Sequence, residues 1–421
     1  MASRTDASPN TDTPESLARR FVATRRLSLD LVATLSDADA SAQSMPDASP
    51  AKWHLAHTTW FFETFVLRDH VPAYALFDER YPYLFNSYYE AEGPRHARPQ
   101  RGLLTRPSLD RVCIWRAHVD AAVQTALPDL PPAALALVEL GIHHEQQHQE
   151  LLLTDLKHLF AQNPLGPAAW ETPIANEVRQ FSAMKWVKGA EGIAAAGHGG
   201  GGFSFDCEGP RHDVLLAPHA LAGRPVTNGE WRQFIDDGGY HTPSLWLSDG
   251  WAWVQAENVD APAYWDGGRQ FTLAGWQDID LAAPVTHISF FEADAFATWA
   301  GARLPTEHEW EAAAACFDPG GGQQLDAAGP AQPAPAADDT GLQQMFGSVW
   351  EWTGSAYRPY PGFRAAPGAV GEYNGKFMSG QFVLRGGSCA TPRGHMRASY
   401  RNFFYPHQRW QFTGLRLAKD L

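Results

Sequence analysis

The run Asn163-Pro164-Leu165-Gly166-Pro167 places two prolines and a glycine within five residues, a composition that a helix cannot continue through. Before this break, apolar residues recur at helical spacing over long stretches; after it, Gly and Pro become frequent and sustained helical periodicity nearly disappears. A chain of 421 residues also exceeds one ordinary hydrophobic core. The sequence therefore predicts a multidomain α+β protein, with a helical domain over 15–165, an irregular α+β domain over 176–421, and a disordered polar tail over 1–14.

Four segments of the first domain carry the helical pattern: about Ser16–Leu35, from after Pro50 to Leu67, about Leu109–Leu127, and about Ala133–Phe160. Four helices of this length predict a bundle, and bundle cores commonly hold metal ligands that project from facing helices. The connector of roughly 40 residues between the second and third helices is long enough to be functional. In the second domain the pattern predicts one helix at about 290–301, another after Thr306, and short strands.

Several classes of partner are excluded by charge and composition. The formal net charge of −14 argues against nucleic acid, because phosphate binding needs clustered Lys and Arg. No apolar run approaches the roughly 18 residues of a membrane helix, and the N-terminal residues lack the apolar stretch of a signal peptide. The four cysteines are scattered without a CxxC pair: Cys113, Cys207, Cys316 and Cys389. We therefore expect a cytoplasmic protein with free thiols and small-molecule substrates.

The densest chemical signal is the sequence HHEQQHQE at residues 143–150, on the fourth predicted helix. His144 and His148 are four residues apart and therefore share one helix face. His54 and His57 lie on the second, strongly aromatic helix, and spacing alone does not choose between them. Three neutral imidazoles from two helices would leave about three positions of an octahedral ion open, as an oxygen-activating iron requires.

The carboxylates of this segment suggest two further roles. Glu145 and Glu150 point away from the face that carries the two histidines, so Glu150 is expected to orient a ligand from outside the metal shell. HEQQH also satisfies the H-E-x-x-H signature of zinc peptidases, in which Glu145 would be the general base. The extended form of that signature fails, because Thr154 occupies the position of its third histidine. A zinc peptidase and a non-catalytic binding protein with a degenerate site both stay open at this point.

Sequence motifs in both halves carry a specific resemblance. They are WHLAHTTWFFE and HHEQQHQELLLTD in the first half, and GEWRQFI, RLPTEHEWEAAA, FGSVWEWTGSAY, LRGGSCA and GLRLA in the second. The chain resembles the ergothioneine-type sulfoxide synthases and their selenoneine synthase relatives over nearly its whole length after the tail. These enzymes pair a DinB-like four-helix bundle with a formylglycine-generating-enzyme-like domain of C-type-lectin-like fold.

The resemblance implies a non-heme iron(II) enzyme with O2 as co-substrate, and it implies that His57, His144 and His148 bind the iron. Formylglycine generation itself rests on a pair of active-site cysteines near the C-terminus. Only Cys389 lies in that region of this chain. We therefore expect the second domain to serve as a scaffold for the pocket, since a fold alone does not fix a function.

The substrate that the resemblance implies is hercynine, the betaine of histidine. Gln147 is then expected to contact its imidazole, Asn402 to hold its carboxylate, and Phe403 and Phe404 to shape the pocket. A quaternary ammonium group cannot donate hydrogen bonds, so aromatic faces are its fitting partners.

The second substrate is expected to carry the chalcogen. Arg95, Arg98 and Arg101 are spaced by three and could clamp a carboxylate in the bidentate manner typical of arginine. Family members that use γ-glutamylcysteine carry an Asp where this chain has Phe404. The difference favours cysteine, which would give hercynylcysteine sulfoxide, and a selenosugar stays open as the alternative donor.

A phenol close to the iron could deliver a proton or hydrogen atom and so suppress simple thiol dioxygenation. Tyr88 and Tyr89, in the long connector of the first domain, are the candidates. Tyr373, in the second domain, is a further candidate.

Overall fold

The computed structural model describes residues 13–171, 183–337, 340–365, 371 and 374–421. The helices of the first domain are α1 (Pro14–Val32), α2 (Asp37–Ser41), α3 (Ala51–Phe62), α4 (Tyr81–Phe85), α5 (Leu109–Ala126) and α6 (Pro132–Ala161). Helix α3 continues into a π-helical turn, Glu63–Arg68. The four long predicted helices are thereby confirmed as α1, α3, α5 and α6. The predicted tail lies outside the described residues except for Thr13 and Pro14, which begin α1 as N-cap and first helical residue.

The second domain holds more helix than the sequence pattern predicts. Its helices are α7 (Asn228–Asp236), α8 (Ser248–Glu257), α9 (Phe290–Trp299) and α10 (Glu307–Ala314). The prediction that helical periodicity nearly disappears is wrong for α7 and α8. Ser and Thr residues cap three of these helices in reciprocal capping boxes with a Glu three positions later: Thr227 with Glu230, Ser289 with Glu292, and Thr306 with Glu309.

Short strands complete the second domain. They are β1 (Trp186–Lys188), β2 (Gly192–Ala196), β3 (His212–Leu216), β4 (His219–Ala222), β5 (Trp265–Asp266), β6 (Arg269–Thr272), β7 (Gly275–Asp278), β8 (Trp350–Ala356), β9 (Phe382–Arg385), β10 (Asn402–Phe404), β11 (Thr413–Leu415) and β12 (Ala418–Asp420). Within the described residues these strands form four small sheets, with strand orders β1-β4-β12, β2-β3, β5-β6-β7 and β10-β9-β8-β11. All of these pairs are antiparallel except β8 with β11. The predicted α+β class with short strands is confirmed.

Helices α3 and α6 pack closely because Gly141 removes a side chain at their contact. A Cβ at Gly141 would lie 2.5 Å from the ring of Phe62 and 2.9 Å from the ring of Phe61. Any larger residue would therefore separate the two helices. This close approach brings the histidines of α3 and α6 onto a common level of the bundle.

The two domains share part of one core. Phe271 and Phe412 of the second domain belong to the apolar cluster that fills the helical bundle. A separate cluster of aromatic and aliphatic residues fills the second domain. No helix within the described ranges combines the length and hydropathy that crossing a bilayer requires.

Candidate metal centre and substrate pocket

Three histidines meet where α3 faces α6. One ring nitrogen from each of His57, His144 and His148 lies within 4.8 Å of the others, and all three side chains are buried. His57 is sandwiched between two indoles: Trp53 lies 4.6 Å from it between ring centroids, and Trp60 lies 5.4 Å from it, both nearly parallel. The helical spacing of four residues places His144 and His148 side by side, as the sequence predicts. This group could hold a metal ion.

Hydrogen bonds determine which nitrogen His57 presents. Its Nδ1 lies 2.6 Å from the carbonyl oxygen of Phe85, which can only accept, so Nδ1 carries the proton. Its Nε2 is buried and has no hydrogen-bond partner among the described residues. A buried nitrogen lone pair without a donor is costly unless something binds it, and a metal ion would.

All three imidazoles are held in the neutral form that binds metals. Burial is the largest cause, and it lowers the pKa of His144 to about 3. Burial and the neighbouring His144 lower the pKa of His57 and of His148 well below the usual value. Protonation therefore does not compete with a metal ion at neutral pH.

His54 lies beside this group as a partner of His148. The two Nδ1 atoms are 2.9 Å apart, and His54 Nε2 lies 3.1 Å from Asp155 Oδ2. Asp155 also accepts from the backbone N–H of Ser49 and from the indole of Trp410. Sequence spacing did not distinguish His54 from His57 as a possible ligand. In the structure His57 belongs to the cluster, and His54 contacts the cluster only through His148.

Glu145 and Glu150 both point away from the cluster. Glu145 is buried against Arg25 and Arg116, and these two guanidinium groups outweigh burial and lower its pKa to about 2. It does not line the pocket, so it cannot serve as the general base that the zinc peptidase reading needs. Glu150 does line the pocket, but its hydrogen-bond partners belong to the second domain.

The prediction that Glu150 orients a metal ligand is therefore corrected. Its carboxylate accepts from the Trp350 indole at 2.7 Å, from Ser388 Oγ at 2.5 Å and from Thr391 Oγ1 at 2.7 Å. Burial raises the pKa of Glu150, and these three hydrogen bonds oppose the rise. Glu150 thus ties α6 to the second domain, and Asp155 with His54 takes the orienting position.

A cavity of about 260 Å³ opens between the two domains and reaches the cluster through His148. Most residues singled out in the sequence line it: Tyr88, Arg98, Arg101, Gln147, Asn402, Phe403 and Phe404. Arg95 and Tyr89 do not. Tyr373 lies outside the described residues.

The three arginines have different surroundings. Arg101 is buried, stacks 3.3 Å above the centroid of Trp53, and donates to the hydroxyls of Ser49 and Ser87. Burial, together with the charge of Arg98, lowers the pKa of Arg101 to about 9. Arg98 is exposed at the mouth of the cavity, where it donates to the carbonyl oxygen of Asp47. Arg95 instead pairs with Glu90 outside the cavity, so only two members of the predicted clamp face the pocket.

The two tyrosines of the connector also separate. The ring of Tyr88 lies in the pocket wall, 5.4 Å from the ring of Phe377, and burial raises the pKa of its phenol. Tyr89 packs into the bundle core against Trp60 and Phe65. Of the two, the structure therefore brings Tyr88 to the pocket.

Strand β10 supplies the wall opposite the bundle. Phe403 stacks on Tyr357 with ring centroids 4.2 Å apart, which fixes the strand. Beneath β10, Arg401 makes a two-pronged ion pair with Glu307. Asn402 and Phe404 flank Phe403 and share the cavity with it.

Two residues of the site were not singled out in the sequence. Asp155 supports the cluster through His54, and Tyr400 contacts Gln147 in the pocket wall. A signal existed for Asp155, because it follows His148 by seven residues and so lies two turns along on the same helix face. Tyr400 is distant from α6 in sequence, and no local pattern marks it.

Comparisons with known proteins agree with this architecture. The DinB superfamily matches residues 20–152, and the sulfatase-modifying factor enzyme 1-like domain matches residues 175–421. The hercynine oxygenase of Mycobacterium tuberculosis is 37% identical and aligns with 97% of this chain and 99% of its own length. That of Mycolicibacterium thermoresistibile is 36% identical over 96% of this chain and 95% of its own.

A more distant similarity extends to a fungal protein. Ergothioneine biosynthesis protein 1 of Schizosaccharomyces pombe is 28% identical over 52% of this chain and 28% of its own length. The two bacterial relatives match both domains in the same order and end to end. The chain therefore belongs to the hercynine oxygenase family, in which a DinB domain is joined to a sulfatase-modifying-factor domain.

Proposed function

We propose that this protein is an iron(II)- and O2-dependent enzyme that joins the sulfur of cysteine to the imidazole carbon of hercynine, giving hercynylcysteine sulfoxide. The observation that carries the proposal is the cluster of His57, His144 and His148 at the inner end of a cavity between the domains. Its relatives named hercynine oxygenases support the choice of hercynine and of O2.

The histidine cluster fits a metal ion that keeps open positions. Imidazole suits iron, zinc, copper and nickel alike, so the donor set alone does not select one of them. His57 presents Nε2 because Nδ1 is bonded to Phe85, and His148 faces the cavity. Iron(II), when bound, supplies the chemistry of O2 activation and holds the chalcogen donor. The reaction takes one hydrogen from the imidazole carbon and one from the thiol, places one oxygen atom on sulfur, and releases one water.

The cavity has the chemistry that hercynine requires. Aromatic rings from both domains line it, among them Trp53, Phe403 and Trp410, and such faces attract a trimethylammonium group. Gln147 and Asn402 provide amide groups for the imidazole and the carboxylate. Tyr88 lies in the same wall, and its phenol is our candidate for the group that holds a transferable proton near the reacting sulfur.

Arg101 supports a donor that carries a carboxylate. Its guanidinium is buried beside the pocket without an acidic partner among its described hydrogen bonds. An uncompensated buried cation favours an anionic ligand. Phe404 lines the same cavity, at the position where family members that use γ-glutamylcysteine carry an Asp for the amine of the dipeptide, and this difference supports cysteine as the donor. We further propose that the protein works in a reducing cytoplasm, since all four cysteines are free thiols.

A selenosugar is the second candidate donor, in which case the product would contain a C–Se bond. One observation favours it: amide side chains are frequent in the cavity lining, among them Asn374, Gln381 and Gln408, and Tyr405 belongs to the same lining. Amides and aromatic faces together are suited to hydroxyl-rich ligands as well as to amino acids.

A competition experiment tests the proposal and separates the donors. The Fe(II)-loaded protein receives hercynine, O2 and an equal mixture of cysteine, γ-glutamylcysteine and a selenosugar, and mass spectrometry identifies the products. We expect hercynylcysteine sulfoxide and O2 consumption only when both substrates are present. A selenoether as the main product would identify the selenosugar, and not cysteine, as the donor. No product from any donor, with iron bound, would overturn the proposed function.

A further inference from the structure

Trp53 lies between the guanidinium group of Arg101 and the histidine cluster. Arg101 Cζ is 3.3 Å from the centroid of the indole, and the indole stacks on His57 with ring centroids 4.6 Å apart and planes 12° apart. The same indole is 6.1 Å from His148 between ring centroids. All four side chains are buried. An aromatic ring, and not solvent, therefore separates the charge of Arg101 from His57.

The charge of Arg101 is not neutralised where it lies. Its guanidinium donates to the hydroxyls of Ser49 and Ser87, which are neutral, and no ion pair joins it to a described carboxylate. Burial and the charge of Arg98 lower the pKa of Arg101 to about 9, although the more distant Asp155 opposes them. Arg101 therefore stays charged at neutral pH, as a buried cation that an anion would stabilise.

This charge acts on the histidine cluster. Burial is the largest cause of the lowered pKa of His57 and of His148, and the charge of Arg101 lowers both further. The same electrostatic potential acts on a metal ion in the cluster, and Fe(II) carries twice the charge of a proton. Because the intervening side chains are buried, solvent screens the interaction only weakly. A bound metal ion and an unneutralised Arg101 therefore repel each other.

We propose that Arg101 couples the donor site to the metal site, so that the metal ion and the carboxylate of the donor each bind more tightly when the other is present. The donor carboxylate neutralises Arg101 and so removes its repulsion of the metal ion. By thermodynamic linkage the two effects are equal in size. The inference rests on the proposed function, because it takes Fe(II) in the cluster and a donor that carries a carboxylate. Without the donor, the protein then holds its metal ion less tightly.

Two uncharged variants of Arg101 test the effect of its charge on the metal site in the absence of any donor. The affinity for Fe(II) is measured without O2, by competition with a chelator, for the wild type, Arg101→Gln and Arg101→Met. We expect both variants to bind Fe(II) at least about tenfold more tightly than the wild type, a factor within the usual range of coupling between two sites. Glutamine and methionine differ in polarity, so an effect that they share reports the lost charge and not a change in packing.

L-Serine tests the link to the donor, because it carries the amine and the carboxylate of cysteine and has a hydroxyl in place of the thiol. Saturating serine should tighten Fe(II) binding by the wild type by the same factor and leave both variants unchanged. Calorimetry of serine with the metal-free and the Fe(II)-loaded wild type should return that factor again. Arg95→Gln removes a charge outside the cavity and is the control, which should match the wild type in every measurement.

Three results would overturn the inference. If the two variants bind Fe(II) no more tightly than the wild type, the charge of Arg101 does not act on the metal site, and the proposed function stands. If serine tightens Fe(II) binding by the variants as well, serine contacts the metal ion directly and Arg101 does not carry the coupling. If the variants bind Fe(II) more tightly but serine has no effect on the wild type, the link to the donor fails, together with the choice of cysteine in the proposed function.

Discussion

His54 Nδ1 lies 2.9 Å from Nδ1 of His148, a member of the histidine cluster, and both rings are buried. His54 Nε2 faces the carboxylate of Asp155, so its proton is on Nε2 and its Nδ1 accepts. His148 must then donate from Nδ1, and its Nε2 is the nitrogen left to bind a metal ion. Asp155 thus determines the tautomer of a residue two helical turns away through His54.

This relay predicts graded losses of metal affinity. His54→Leu should weaken metal binding by about 10- to 100-fold, as removal of an orienting partner does, because His148 then loses its fixed tautomer. His57→Ala should remove measurable binding, since it deletes a ligand. Competition with a chelator followed by metal analysis distinguishes the two effects. Equal affinities of the His54→Leu variant and the wild type would contradict the relay.

Substitution of Tyr88, but not of Tyr89, should change the ratio of the reaction products. Tyr88→Phe removes a phenol from the pocket wall, so we expect turnover to fall and part of the thiol to be oxidised to sulfinate without coupling. Tyr89→Phe changes a buried core residue and should leave the product ratio unchanged. The ratio of sulfoxide to sulfinate, measured by mass spectrometry, is the readout. Sulfinate formed by the Tyr89 variant alone would reverse the assignment.

The contribution of Arg101 to binding the sulfur donor can be measured against Arg95 as a control. Arg101→Gln should raise the KM for cysteine by about tenfold or more and change the affinity for hercynine little, because one charge-assisted hydrogen bond is worth roughly 1.5–3 kcal/mol. Arg95→Gln should leave both unchanged, since Arg95 pairs with Glu90 outside the cavity. Steady-state kinetics with each substrate varied in turn measures the difference. Equal effects of the two substitutions would argue against a specific carboxylate contact.

The helical half of the fold was predictable because long helices repeat their apolar residues many times. The histidine cluster was only partly predictable. His54 and His57 are three residues apart and lie on nearly the same face, so spacing cannot tell a ligand from its support. The choice depends on where Phe85 and Asp155 lie, and both are distant in sequence.

Other features were harder to predict for similar physical reasons. Regular spacing suggested that three arginines act together, but Arg98 and Arg101 belong to one 3-10 turn, Arg98–Leu103, and Arg95 precedes it. Helix α7 did carry a local signal, the Thr227 and Glu230 capping box, although its nine residues are too few for a clear periodicity. Strand β11 pairs in parallel with β8 across more than sixty intervening positions, and no local pattern reports such a pairing.

The ion pair beneath strand β10 predicts a pH-dependent contribution to stability. Burial would raise the pKa of Glu307, but Arg385 and Arg401 outweigh it and hold that pKa below its usual value of 4.5. A carboxyl group with a lowered pKa in the folded state stabilises the fold above pH 4.5, and this contribution is lost as the pH falls further. Glu307→Gln should therefore lower the free energy of unfolding at pH 7 by about 3–5 kcal/mol, because the buried Arg401 loses its ion-pair partner and the buried Arg385 keeps only Glu311. Urea denaturation at several pH values should show that the difference in unfolding free energy between Glu307→Gln and the wild type shrinks below pH 4.5. Glu90→Gln, at an exposed carboxylate, is the control and should match the wild type at every pH. A difference that stays constant down to acid pH would mean that packing, not charge, accounts for the role of Glu307.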